Sequence, residues 1–314
     1  MRPNLSGDLL FKILAAVLAA SAAVILIVTG YTLLTGSLPV LQRFGLYFFI
    51  GTKWNTIVGR EIYGALPYLL GTLVTSAIAI IIAVPISLGV AIFLADMAPR
   101  ALRVPTSYLV ELLAAVPSVI FGLWGLFVLR FWVVQYIETP LSTHFGWFPA
   151  FSGTPYGLDV LDAGIILAIM IIPIVSSISR EIIQAVPNSV KEGAYSIGAT
   201  RWEVIKNWEL SYGRSGIFGA VILGLGRAVG ETMAVTMIIG NAIGPYAMPT
   251  SLLKPGQTMS SLIANGFAEA TPGSVEYSAY IGVGLLLLLL ALSINVIAHF
   301  IVARTLKIKG GAVE

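Results

Sequence analysis

The chain contains no cysteine, which excludes disulfides, zinc–thiolate sites and thiol catalysis. Histidine is nearly absent as well. His144 and His299 are its two representatives, too few for a histidine-rich metal centre. No G-x-x-x-x-G-K-[ST] loop occurs, so if the work of this chain is driven by ATP, the nucleotide site is expected on another chain. Charge is scarce, at 11% of residues where soluble domains carry about 25%. In its place stand hydrophobic residues, 57% of the total, gathered into runs that reach the roughly 20 residues a membrane-crossing helix needs. The class is a polytopic, all-α membrane protein.

Apolar length predicts six spans, at 10–34, 66–95, 107–130, 160–185, 215–242 and 277–303. Arg2, Lys12 and the small residues Ala20-Ser21-Ala22 imitate a cleaved signal, but the apolar run continues to Leu34, so the first span is expected to be retained. Phe48-Phe49-Ile50 is too short to cross and is expected at the interface. Pro85, Pro117 and Pro173 fall inside spans two, three and four and predict kinks. Lys and Arg concentrate in one set of loops (Arg2, Lys12, Arg100, Arg103, Arg180, Lys191, Arg201, Lys206, Arg214, Arg304, Lys307, Lys309). The opposite set holds fewer (Arg43, Lys53, Arg60, Arg130, Lys254). Both termini are therefore expected in the cytoplasm. The outer loop after span three carries Trp132, Tyr136, Trp147, Phe148 and Phe151, an interfacial belt.

The basic loop 186–214 has the clearest local signals. Ser189-Val190-Lys191-Glu192 and Thr200-Arg201-Trp202-Glu203 each fit a capping box, with Gly198 between them as a helix stop. A helix of about eight residues is marginal alone. Its apolar stripe, Val190, Ala194 and Ile197, must dock either on this chain or on a partner.

Arg227 and Glu231 sit in the middle of span five, in GLGRAVGETMAV. A charge at mid-bilayer costs about 2.5–3.5 kcal/mol on insertion scales. At i,i+4 spacing the two would share a helical face, either as a self-neutralising pair or as a site on a substrate path. Arginine suits tetrahedral oxyanions, because its fork donates paired hydrogen bonds and stays charged. Gly224, Gly226 and Gly230 fit close helix packing. The same glycines do not make a dinucleotide loop, since the last spacing is one too long and no strand precedes it. Glu111 is expected to make a helix–helix or interfacial contact, and Asn295 with His299 an interhelical hydrogen bond. The polar stretch 255–270 is expected to form a short outer helix.

EGAYSIG, Glu192 to Gly198, resembles the E-A-A-x-x-x-G loop of ABC-importer permeases, with Gly193 in place of the first alanine. The family's later Ile-x-Leu-Pro is Trp208-Glu209-Leu210-Ser211 here, keeping only the leucine. GLGRAVGETMAVTMIIGN and ELLAAVPSVIFGLWG are similar to the permeases of bacterial phosphate importers. This resemblance implies a type I importer permease of the MetI-like fold, with residues 1–65 as an amino-terminal helix plus outer segment and 66–314 as the permease core. It implies a coupling helix at Glu192, Gly193, Ala194 and Gly198, and a role for Arg227 and Glu231 in phosphate passage. It also implies partners: a second homologous permease, two ATPase subunits carrying ATP and Mg, and a periplasmic phosphate-binding protein. Another oxyanion, such as sulfate, molybdate or phosphonate, is the alternative cargo. A secondary carrier would show repeated halves with broken helices, and an enzyme a nucleophile–base or metal constellation; neither is read here.

Overall fold

The computed structural model describes residues 5–305 and is built almost entirely of helices. Arg2, Lys307 and Lys309, used above for orientation, lie outside the described residues. Helix α1, Leu5–Phe44, is 40 residues long. At 1.5 Å per residue it spans about 60 Å, twice the hydrocarbon thickness, and it runs well past the expected end at Leu34. Pro39 lies inside it. Beside that proline, the buried Val40 N–H donates to Ser278 Oγ (3.1 Å), and the same hydroxyl donates to the Gly36 carbonyl (2.9 Å). A serine from the last helix thus splices into the disturbed turn.

Residues Tyr47–Ile50 form one short helical turn. Its Phe48 is fully buried against the rest of the chain, while Leu46 and Ile50 on either side stay exposed. A small antiparallel hairpin follows, Trp54–Asn55 with Ile62–Tyr63. Trp54 packs edge-on against Tyr63 (5.0 Å) and Tyr68 (5.4 Å), and Tyr68 Oη accepts from Gly244 N–H (3.0 Å).

Helix α2, Leu66–Ile92, ends in a widened turn, Phe93–Met97. Helix α3, Arg100–Ala114, follows, and α4 runs over Ser118–Phe145 with widened turns inside it. Span three is therefore displaced from the expected 107–130. Pro117 does not kink a continuous helix; it stands at the start of α4. Proline supplies no donor and pushes the preceding residue out of helical geometry, so one helix ends and another begins. In consequence Arg130, Trp132 and Tyr136 lie within α4 and not in an outer loop. Pro85 and Pro173 do stay inside α2 and α5, the latter helix being Val160–Gln184.

The centre of the fold is the pairing of α2 with α5. Ala79 and Ala83 face Ala163, Leu167, Ala168 and Ile171, all buried. Small side chains let the backbones approach, the usual currency of packing where lipid and protein are equally apolar. A methyl added at Gly164 would run into Ile78. Later come α6 (Asn188–Ser196), α7 (Leu210–Gly230), α8 (Met233–Ile238), α9 (Met259–Gly266) and α10 (Val275–Thr305). Among the described residues α1, α2 with its widened turn, α4, α5 and α10 are long and apolar enough to cross a membrane. The remaining expected span coincides with α7, whose two arginines and several glycines dilute its apolarity.

The non-basic end of α5 carries buried acids. Asp159 caps α5 by accepting from Asp162 N–H (2.9 Å), and Glu138 accepts from Gly157 N–H (3.2 Å). Burial, then the neighbouring Glu138 carboxylate, pushes the Asp159 carboxyl up to about 8. A carboxyl raised in the folded state contributes stability that is lost as pH climbs from the ordinary carboxylate range through that raised value. Asp159→Asn keeps the cap and removes the charge. It should raise the melting temperature in detergent at alkaline pH and change it little at acidic pH. Separately, Ser278→Ala should lower stability by about 1–3 kcal/mol, the weight of a buried backbone group left unpaired, read as a drop in thermal midpoint.

Candidate functional site

The widened turn Val204–Glu209 leads straight into α7, and α7 ends in mid-span. Glu231 leaves the helix with extended backbone (φ −67°, ψ 129°), and α8 starts again at Met233. This overturns the expectation of one helix over 215–242 with Arg227 and Glu231 on a shared face. No Arg227–Glu231 ion pair occurs among the described residues. A broken helix is present after all, though in a single copy and with no repeated half.

The break is chemically closed. Glu231 Oε1 accepts from Ala234 N–H (3.3 Å) and so caps α8. Thr232 Oγ1 donates to the Gly230 carbonyl (3.2 Å), and Ser260 Oγ donates to the Glu231 carbonyl (2.7 Å). Ser260 is almost fully buried at the start of α9, whose amino terminus carries a capping box between Thr258 and Ser261. The stretch 255–270 does form the expected short helix. It packs against α2, α8 and α10 and reaches the break in span five. Sequence reading missed Ser260; the available signal was a polar Thr-Met-Ser-Ser run that the chain nonetheless buries.

Arg227 lies in the last turn of α7, where a cation meets the negative end of the helix dipole. Its side chain is exposed and lines a groove of about 430 Å³ with Ile174, Ile222, Leu223, Gly226 and Asn295. A neighbouring pocket shares Ile222, Leu223 and Asn295 and extends to His299. Asn295 does not bond across helices as expected; its Nδ2 donates to Ala291 in its own helix. The three glycines divide. Gly224 packs against Val175, whereas a methyl at Gly226 or Gly230 would meet open space. Packing therefore explains one of them, and Gly226 leaves the groove clear beside the guanidinium.

At the opposite, basic end, Thr200 and Glu203 form the expected capping box, and Gly198 takes the expected left-handed turn (φ +85°). The other expected box is absent. Helix α6 begins after Pro187, so Ser189 falls in its first turn with no capping bond. The apolar stripe splits: Ala194 is buried on this chain, whereas Ile197 is 75% exposed. Glu192, Gly193 and Gly198 are exposed, and the two glycines have empty space before them. Glu111 pairs with Arg180 (3.0 Å) across α3 and α5, the helix–helix contact expected of it.

The family of binding-protein-dependent transport system inner membrane components matches residues 87–307. The chain is 43% identical over 308 residues to the phosphate transport system permease protein PstC of Xylella fastidiosa strain Temecula1, covering 97% of this chain and 93% of that one. It is 42% identical to the PstC of Haemophilus influenzae, covering 96% and 95%. In fold it resembles a chain of a bacterial alginate ABC transporter solved with an alginate-loaded periplasmic protein (TM-score 0.59, 17% identity, 96% of this chain and 98% of that). It also resembles an inward-facing MetNI methionine ABC transporter (TM-score 0.52, 17% identity, 76% and 93%).

Because the chain lacks cysteine, single introduced cysteines report cleanly on the groove. Gly226→Cys should react with a small water-soluble thiol reagent in membranes, and Ala228→Cys, buried one residue beyond Arg227, should not. Absence of labelling at Gly226→Cys would show that the groove is not the water-accessible face.

Proposed function

We infer the function from one premise: the chain belongs to the binding-protein-dependent inner membrane components, the permease subunits of ABC importers. It is a phosphate-importer permease, a transporter subunit and not itself an enzyme. The observation that carries the mechanism is an exposed guanidinium, without an ion pair among the described residues, at the end of a broken helix and beside Gly226, which leaves space. Phosphate passes that point, drawn by Arg227 through paired charge-assisted hydrogen bonds.

The surface bearing Arg227, Asn295 and His299 is too polar to face acyl chains. A second, homologous permease covers it, and the groove becomes a passage between the two. Helix α6, with Glu192, Gly193 and Gly198 on its open side and Ala194 anchoring it, docks into an ATPase subunit. Two such subunits hold ATP and Mg, and their closure drives alternating access. A periplasmic phosphate-binding protein delivers the cargo. The chain lies in the cytoplasmic membrane with its basic loops, and both termini, inside. Residues 1–65 serve as an outer support and 66–314 as the permease core.

Glu231 has a narrower role in this reading. One carboxylate oxygen caps α8. The other is left to accept a hydrogen bond from the P–OH that phosphate retains at neutral pH and to repel sulfate, which has no such donor. The rival reading, the same machine carrying another oxyanion, differs from this one in what competes for uptake.

Arg227→Ala should cut phosphate uptake by about 10- to 100-fold, the weight of one hydrogen bond to a charged group. Glu231→Gln should narrow the discrimination between phosphate and sulfate; unchanged uptake and unchanged discrimination would remove Glu231 from the selectivity role. Gly198→Trp should leave ATP hydrolysis running with little uptake, because the left-handed turn and the open face are both lost.

A further inference from the structure

Three charged side chains meet where the basic ends of α2, α6 and α7 converge. Lys191 Nζ, on α6, lies 3.0 Å from Asp96 Oδ1 at the end of α2 and 2.8 Å from Glu209 Oε1 in the turn entering α7. Glu209 is 2% exposed, and the other two are less than one-fifth exposed. Asp96 and Glu209 also face each other. A second strut joins the same point, since the Arg201 guanidinium donates to the Asp96 carbonyl. Burial alone would push the Lys191 ammonium down, but its hydrogen bonds to Glu209 and Asp96 outweigh burial and hold it above the ordinary lysine value. The cation therefore persists at physiological pH.

Buried ion pairs are poor sources of net stability, and their best-attested use is to fix a register or serve a switch. The elements held here suit that use. Helix α6 has nine residues and is too short to hold itself. Helical bonding runs unbroken from Arg201, through the widened turn, to Gly230. A displacement at Glu209 is thereby carried along α7 to Arg227. Asp96 gives the same contact to α2, the helix paired with α5 at the centre of the fold.

We propose that Lys191, Asp96 and Glu209 form the joint that passes movement of α6 into α2 and α7, so that Lys191 is a positioning residue for coupling. This rests on the reading of α6 as the ATPase dock. Lys191 does not touch the cargo; it sets where the Arg227 helix stands when the ATPase moves.

The test uses the complete importer in liposomes and reads phosphate moved per ATP hydrolysed. Lys191→Met keeps the stem and removes the charge. It should lower that ratio by about tenfold, within the usual range of coupling between sites. Lys206→Met removes an exposed charge from the same segment and should leave the ratio unchanged. The exchange Lys191→Glu with Glu209→Lys puts the ammonium between two carboxylates again, because position 209 also faces Asp96. It should recover most of the ratio that either single reversal loses. A normal ratio in assembled Lys191→Met overturns the proposal. So does an exchange variant that assembles without recovery, or that fails to assemble at all, since the triad then only holds the fold. If the unaltered complex hydrolyses ATP but moves no phosphate, the cargo assignment fails instead, and the same ratio is read with the oxyanion it does move.

Discussion

A backbone that leaves helical geometry inside a membrane must find every hydrogen bond within the protein. The interruption of span five at Glu231 meets that constraint, and the rest of the site depends on how it does so. Thr232 serves the Gly230 carbonyl, Ser260 serves the Glu231 carbonyl, and the Glu231 side chain serves Ala234 N–H. Each bond ties a different element to the break: α7, α9 and α8. The short helix α9 is drawn inward for this purpose, which explains why a stretch rich in serine and threonine is among the most buried in the chain.

Ending α7 there has an electrostatic result. Arg227 comes to rest in a final turn, at the carbonyl end of the helix, and not in the middle of a continuous apolar rod. The helix end eases the burden of the charge without neutralising it, as an ion pair would. The guanidinium therefore stays exposed, as its proposed role with an anion requires. The acid four residues on is occupied with backbone, so cation and carboxylate are separated in role as well as in space.

The basic end follows a different logic. Helix α6 is short, contains Gly193, is followed by Gly198 and is exposed on one side, features that suit the ATPase dock proposed for it. Its hold on its own chain comes from Ala194 and from a buried triad of charges, not from a broad apolar face. An apolar dock would tolerate sliding. Directed ionic contacts at 2.8–3.0 Å fix one register of α6 against the ends of α2 and α7.

Much of this was legible in the linear chain. Apolar run length marked the membrane class and most of the spans, because bilayer thickness sets helix length whatever the neighbours do. Thr200–Glu203 and Gly198 were readable because capping and left-handed turns are decided by residues three or four apart. Local chemistry also misled. Ser189 looked like a cap yet lies inside α6, Pro117 separates two helices where a kink was expected, and Arg227 and Glu231 were assigned a common face. The tertiary structure alone showed that α7 stops at Glu231, whose carbonyl is satisfied by Ser260, 29 residues away. It alone brought Lys191 to Asp96, 95 residues distant. Periodicity records what a helix does by itself; hydrogen bonds and ion pairs between distant segments are supplied by the fold, and these determine where the helix ends and what it can move.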